Sequence, residues 1–252
     1  MSLNKLKGAK SIFVANVKGG VGKSTLSIML ARALSDIMPP KNITVIDTDL
    51  QRTATEFLTN SNPEINIEFL PITPAFENTN ISLVQQFIKQ NEFRPGHVVI
   101  VDTPAGTSQR LWNLVAEGYC VLIPTTLSNA DLYPTENFIR NMDQVKARYG
   151  KSYPHLIVCP NKIPFGQKDF SLMAERLNNH DVVIGPALRD LASVRHFYNG
   201  KIENWEKKND TNAQSDFKQF GDFIEKFVLD GELDKIYSEK EIAKNVIPLK
   251  KY

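Results

Sequence analysis

The sequence predicts a doubly wound α/β domain, a mostly parallel sheet with helices on both faces. Three observations carry this. Short, wholly apolar runs alternate with amphipathic helical patterns along the chain. A loop of small residues with two lysines, Lys18-Gly19-Gly20-Val21-Gly22-Lys23-Ser24-Thr25, lies between the first such run and the first helix. Two later apolar runs end abruptly in an acid, at Asp47 and at Asp102.

The elements follow in order. Ser11–Val17 reads as the first strand, with Ile12-Phe13-Val14-Ala15 at its apolar centre. Leu26, Met29, Leu30, Ala33, Leu34 and Ile37 then recur at three- and four-residue spacing, which predicts a helix. Pro39-Pro40 stops it, because proline has no N–H to donate and crowds the preceding turn. Ile43–Asp47 is a strand, apolar up to its carboxylate end. Ile65–Leu70 alternates in polarity, which suits a place near an edge. Ile81, Val84, Phe87 and Ile88 mark a helix, and Val98–Asp102 a buried strand. Tyr119–Ile123 and Leu156–Cys159 are further strands, separated by a helix within Asp131–Tyr149. Val182–Ile184 is a last short strand. Phe217, Phe220, Phe223, Ile224, Phe227 and Val228 line one face of a late helix, and such a stripe is expected to be core rather than a cofactor site.

Strands apolar on both sides imply a sheet covered on both faces, with right-handed crossovers. Ligands of such sheets bind at the carboxyl ends of the strands. The polar residues that end the strands are therefore the candidates for function.

Composition sets the bounds. At 252 residues the chain can bury a large core, expected as one domain over 11–230. Residues 1–10 read as a polar, basic leader and 231–252 as a short helix and tail; Asn199–Asn212 is polar and reads as a loop or insertion. Lys and Arg number 30 against 28 Asp and Glu, so any contact with nucleic acid must come from a local patch. Cys120 and Cys159 each lie inside an apolar run, where reduced, buried thiols are expected and no metal spacing is present. No secretory leader opens the chain and no run of about 18 apolar residues occurs, so a cytoplasmic protein is expected.

The lysine-rich loop fits Gly-x-x-x-x-Gly-Lys-[Ser/Thr] except at its first position, where Val17 stands in place of glycine. The chemistry survives. Small residues let backbone N–H groups turn inward around phosphate oxygens, and the helix start adds its positive end. Lys23 would reach the phosphates and Ser24 would bind Mg²⁺, with Lys18 at the mouth of the loop.

The acidic strand ends complete this chemistry. In Asp47-Thr48-Asp49-Leu50-Gln51, one aspartate can hold the magnesium shell and the other can orient an attacking water. The two point the same way if the strand continues past Asp47. Val98–Asp102 followed by Thr103-Pro104-Ala105-Gly106 has the form of a Walker B element, with Asp102 toward the metal. Gly106–Arg110 and the helix after it read as a switch that senses the γ-phosphate. Phe138, Ile139 and Met142 are open to two readings, a surface that reads the switch or ordinary core.

Together Lys18–Thr25, Asp47–Gln51 and Val98–Gly106 resemble the deviant Walker A ATPases, the P-loop group that includes ParA, MinD, Soj and the nitrogenase iron protein. Asp47-Thr48-Asp49-Leu50-Gln51, with Leu50 where proline is usual, and Val121-Leu122-Ile123-Pro124-Thr125-Thr126 make the chain look most like short ParA-type partition ATPases without an N-terminal helix-turn-helix. The resemblance implies ATP and Mg²⁺ as cofactors. It implies nucleotide contacts from Lys18, Gly19, Gly20, Val21, Gly22, Lys23, Ser24 and Thr25, and an adenine contact from Asn161. It implies that Lys18 crosses a dimer interface to the partner's nucleotide and that Asp49 positions the lytic water. Ser24, Asp47 and Asp102 would serve the metal. It further implies a homodimer in the ATP state, non-specific DNA binding with nucleoid association, and slow hydrolysis stimulated by a centromere-binding ParB-type partner. Arg189, Arg195, Lys201, Lys207 and Lys208 are candidate DNA cations, each equally readable as part of a solvated face.

Other clients of the same ATPase stay open. A conjugation or cargo-positioning relative would share every motif. A MinD-like membrane-cycling protein needs a C-terminal amphipathic basic helix, which Pro248 interrupts, so no stable membrane binding is expected. An iron-protein-like reductase needs paired cluster cysteines at a dimer face, and a synthetase has no use for Lys18.

Overall fold

The computed structural model describes residues 8–106, 108–149, 154–191 and 211–238. Seven strands form one sheet: β1 (Lys10–Val14), β2 (Ile43–Asp47), β3 (Asn66–Phe69), β4 (Val98–Asp102), β5 (Cys120–Thr125), β6 (His155–Pro160) and β7 (Val182–Ile184). Their order is β3-β2-β4-β1-β5-β6-β7, and every pairing is parallel. The chain winds one way through β2 and β3, returns to β4, then winds the other way. The reversal lies beside β1, and the crevice at its carboxyl end is where such sheets take ligands.

The helices are α1 (Lys23–Ile37), α2 (Thr53–Ser61), α3 (Glu77–Asn91), α4 (Gln109–Val115), α5 (Asn129–Tyr149), α6 (Ser171–Leu177), α7 (Thr211–Phe223) and α8 (Glu232–Ser238). Side chains alternate across a strand, so β1 sends Ile12 and Val14 to one face and Phe13 to the other. The first face packs on α1, α2 and α7, and the second on α3 to α6.

Several bounds differ from the sequence reading. The first strand starts at Lys10, inside the expected leader, and its ladder stops at Val14, because the chain there turns into the loop. β3 lies at the sheet edge, as its alternation suggested. The late aromatic stripe is core, with Phe220, Phe223, Ile224 and Val228 buried; it passes from α7 into a π-helical turn over Ile224–Leu229. Phe138, Ile139 and Met142 are also buried among the core residues, which decides between their two readings in favour of packing. Cys120 and Cys159 are free and buried in β5 and β6, and burial pushes the Cys120 thiol up to about 12. Among the described residues no helix is long and apolar enough to cross a membrane.

Candidate phosphate-binding site

The loop from β1 to α1 is built from two left-handed glycines. Gly20 has φ 78° and Gly22 has φ 97°. Gly22 has a second constraint, since a Cβ there would collide with the side-chain amide of Asn161. Leu26 N–H closes the first helical bond on the Gly22 carbonyl.

Side chains of the loop and of the segment after β6 take the loop's carbonyls. Lys23 Nζ donates to Lys18 O at 3.1 Å, Lys162 Nζ to Gly20 O at 2.7 Å, and Asn161 Nδ2 to Val21 O at 2.8 Å. By contrast, none of the N–H groups from Gly19 to Ser24 donates a hydrogen bond among the described residues. Left-handed turns and a helix start thus gather a row of unbonded donors, which is the electrostatic form of an anion site. Lys23, a residue only 7% exposed, adds an ammonium. Burial lowers its pKa, and the nearby carboxylates of Asp102 and Asp49 oppose that shift.

The acids stand beside the loop because the strands are in register: Asp102 pairs with Val14 on one side and with Asp47 on the other. Asp102 is fully buried. Ser27 Oγ donates to its Oδ1 at 2.9 Å, while Oδ2 has no hydrogen-bond partner. Burial, reinforced by Asp47, pushes this carboxyl up to about 7 against the pull of Ser24 and Ser27. An orphaned carboxylate oxygen near the Ser24 hydroxyl fits a hard divalent cation such as Mg²⁺. No group of three or more His, Cys, Asp or Glu among the described residues could hold a metal, so such an ion would draw the rest of its shell from water and phosphate oxygens.

Asp47 departs from the expectation. The strand ends at this residue, so Asp47 and Asp49 do not act as a parallel pair. Asp47 Oδ1 accepts the Asp49 N–H at 3.1 Å, and Oδ2 accepts the Thr55 N–H and hydroxyl at 2.9 Å each. Oδ1 thus holds the turn after β2, and Oδ2 fastens the first turn of α2 to the strand end. Asp49 lines the cleft instead, with Oδ1 on the Gln51 N–H at 2.9 Å and Oδ2 available.

The cleft over the loop has a volume of about 460 Å³, enough for a nucleotide-sized ligand. Ser24, Thr25, Ala105 and Asn161 also line it. Lys18 stands outside the lining, and its ammonium has no partner among the described residues.

A sequence model of the CobQ/CobB/MinD/ParA nucleotide binding domain matches residues 12–240. The chain belongs to that family. Solved structures agree in fold. An ATP complex of a Cyanothece McdA variant shares 16% identity over 86% of this chain and 96% of its own, with a TM-score of 0.65. The Pyrococcus horikoshii septum site-determining protein MinD with Mg-ADP shares 16% identity over 91% and 98%, with a TM-score of 0.63. A candidate plasmid partition protein of Borrelia burgdorferi, bound to AMPPNP, shares 17% over 86% and 99%, with a TM-score of 0.62.

For a member of this family two further placements are informative. Arg189 is not a free cation for DNA. Its guanidinium is bound to Asp216 at 2.5 Å and to Asn212 at 2.9 Å, and it borders the nucleotide cleft. Arg195, Lys201, Lys207 and Lys208 lie outside the described residues. Sequence reasoning also missed Ser27, Thr55 and Lys162. Lys162 adopts φ 54°, a left-handed bend that no pattern announces but that follows directly on Asn161.

Proposed function

We propose that this chain is a ParA-like ATPase that closes as a homodimer around ATP-Mg²⁺, binds DNA without sequence preference and acts in plasmid or chromosome partition. The observation that carries the nucleotide part is the row of unbonded N–H groups from Gly19 to Ser24. Those donors and Lys23 hold phosphate oxygens, and the Ser24 hydroxyl with Asp102 Oδ2 serves the metal. Mg²⁺ supplies charge neutralisation at the phosphates. Asp49, with one oxygen still available in the cleft, orients the water that attacks the γ-phosphorus. Asn161 lies in the same wall, and its side-chain oxygen would serve as the adenine contact.

The dimer reading draws on Lys18. A cation left without a partner at the mouth of an anion site is matched by a phosphate brought from a second copy. Among the fold neighbours, the McdA variant holds ATP and the candidate partition protein holds AMPPNP, which supports a nucleotide in this cleft. Hydrolysis, stimulated by a centromere-binding ParB-type partner with a basic tail, would open the dimer and release the DNA.

DNA binding measured with ATP, with ADP and without nucleotide, across a salt series, tests this reading. Binding is expected with ATP alone and should weaken steeply as salt rises. Asp49→Ala should bind ATP, hydrolyse it poorly and stay on DNA. Equal DNA binding in all three nucleotide states would overturn the switch.

A further inference from the structure

Asn16 precedes the loop and is only 2% exposed. Its Oδ1 accepts the Lys18 N–H at 3.1 Å. Its Nδ2 donates to Pro124 O at 2.9 Å and to Thr135 Oγ1 at 2.8 Å. Thr135, in α5, is fully buried, and its one hydroxyl proton lies within reach of Asp131 O at 2.7 Å and Thr125 Oγ1 at 3.0 Å. One buried amide therefore joins the loop mouth, the end of β5 and the first turns of α5.

The Lys18 peptide is held from two sides, by Asn16 at its N–H and by Lys23 at its carbonyl. A phosphate competes for the Lys23 ammonium, and the Asn16 bond is then the hold that remains. The far end of the connection has its own weak point. Pro134 lies inside α5 and offers no N–H to the carbonyl four residues before it. Side-chain bonds hold the helix start just before it: Asp131 Oδ2 accepts from Thr126 at 2.6 Å and from Ser128 at 3.1 Å. Tyr133, 59% exposed, is carried on this turn.

We propose that Asn16 is a positioning residue for Lys18 and that, through Thr135, it ties the phosphate loop to the proline-interrupted start of α5. Nucleotide state at the loop is thereby felt at the turn that carries Tyr133. The proposal rests on the nucleotide reading above and adds to it a route of regulation.

The test uses Asn16→Ala, Thr135→Val and Thr135→Ser in the full chain. Asn16→Ala should bind an ATP analogue within a few-fold of the unaltered chain, yet lose about tenfold or more in kcat, because Lys18 is misplaced rather than removed. Thr135→Val should lose kcat in the same sense, and Thr135→Ser, which keeps the hydroxyl, should retain it. Asn16→Ala combined with Thr135→Val should lose no more than Asn16→Ala alone, since both cut one connection. Hydrogen exchange supplies a second readout. The Lys18 amide should exchange faster in Asn16→Ala without nucleotide, and ATP should slow exchange over residues 129–135 only where Asn16 is intact. Retained kcat with retained ATP protection of 129–135 in Asn16→Ala would overturn the proposal, as would losses that multiply in the double variant. If Asn16→Ala does not fold, the Thr135 pair decides by the same measures. If the unaltered chain binds no ATP, the nucleotide reading falls, and an unchanged exchange rate at the Lys18 amide in Asn16→Ala would separately overturn the strut.

Discussion

The hydroxyl of Ser27 donates to Oδ1 of Asp102 at 2.9 Å, and the second oxygen of that buried carboxylate is left unbonded. Burial of this carboxyl, against the pull of Ser27, governs its titration. The group's ordinary pKa is 3.8, and in the fold it is pushed up to about 7. Between these values the folded chain holds a proton that the unfolded chain has released. The contribution of this acid to stability is therefore complete below about pH 4 and lost as pH rises through about 7. In the absence of nucleotide and magnesium, the melting temperature should fall between about pH 5 and pH 8. Asp102→Asn cannot ionise and should remove that part of the slope. Thermal melts of both proteins across this range check it; identical slopes would refute it.

Lys23→Ala should weaken ATP binding by roughly ten- to a hundredfold, because a hydrogen bond to a charged group is worth about 1.5–3 kcal/mol. Stability should be kept, since burial already disfavours this ammonium. Titration with a fluorescent ATP analogue, beside a melting curve, separates the two effects. Undiminished affinity would remove the phosphate role of the loop.

Gly20 and Gly22 share a left-handed backbone but differ in their surroundings. A Cβ at Gly20 meets nothing within 4 Å, whereas at Gly22 it meets the Asn161 amide. Gly20→Ala should cost about 1–2 kcal/mol from backbone strain alone. Gly22→Ala should cost about 1–3 kcal/mol more, because Asn161 must give up the Val21 carbonyl. Urea unfolding of the two variants measures the gap, and equal costs would deny the contact.

Removing Arg189 should destabilise the chain by about 3 kcal/mol, since Asp216 is only 6% exposed and would lose its counter-charge. Arg189→Ala with Asp216→Ala should recover much of that loss. If the chain binds DNA as proposed, the salt dependence of that binding should be the same with and without Arg189. A shallower salt slope in Arg189→Ala would restore it as a phosphate contact.

Much of this arrangement was legible in the sequence. Ile43–Asp47 and Val98–Asp102 read correctly to the residue as strands, because an apolar run that stops at an acid marks a strand end. β5 runs on to Thr125, past the expected Ile123, because Pro124 and Thr125 pair with Cys159 and Pro160 in a fully buried ladder that their polarity hides. α2 and α6 span nine and seven residues, too short for a repeating pattern to stand out. What the sequence does not announce at Asp47 is its tie to the following helix, where Thr55 donates its N–H and its hydroxyl to the carboxylate. The bond between Asn16 and Thr135 joins residues 119 positions apart, and only the pairing of β1 with β5 brings them together.

The place of β1 also bears on how the chain is made. This strand is synthesised first, yet it lies between β4 and β5, which begin at Val98 and Cys120. A nascent chain leaving the ribosome therefore carries an apolar strand with both edges open until β4 has emerged and one edge open until β5 follows. Unpaired edges of that kind are what chaperones shield. The phosphate loop, anchored on β1 and roofed by Asn161 and Lys162 from beyond β6, is finished later still. A nucleotide would therefore meet an incomplete site until the segment after β6 has been made, and it could not template the pairing of the earlier strands.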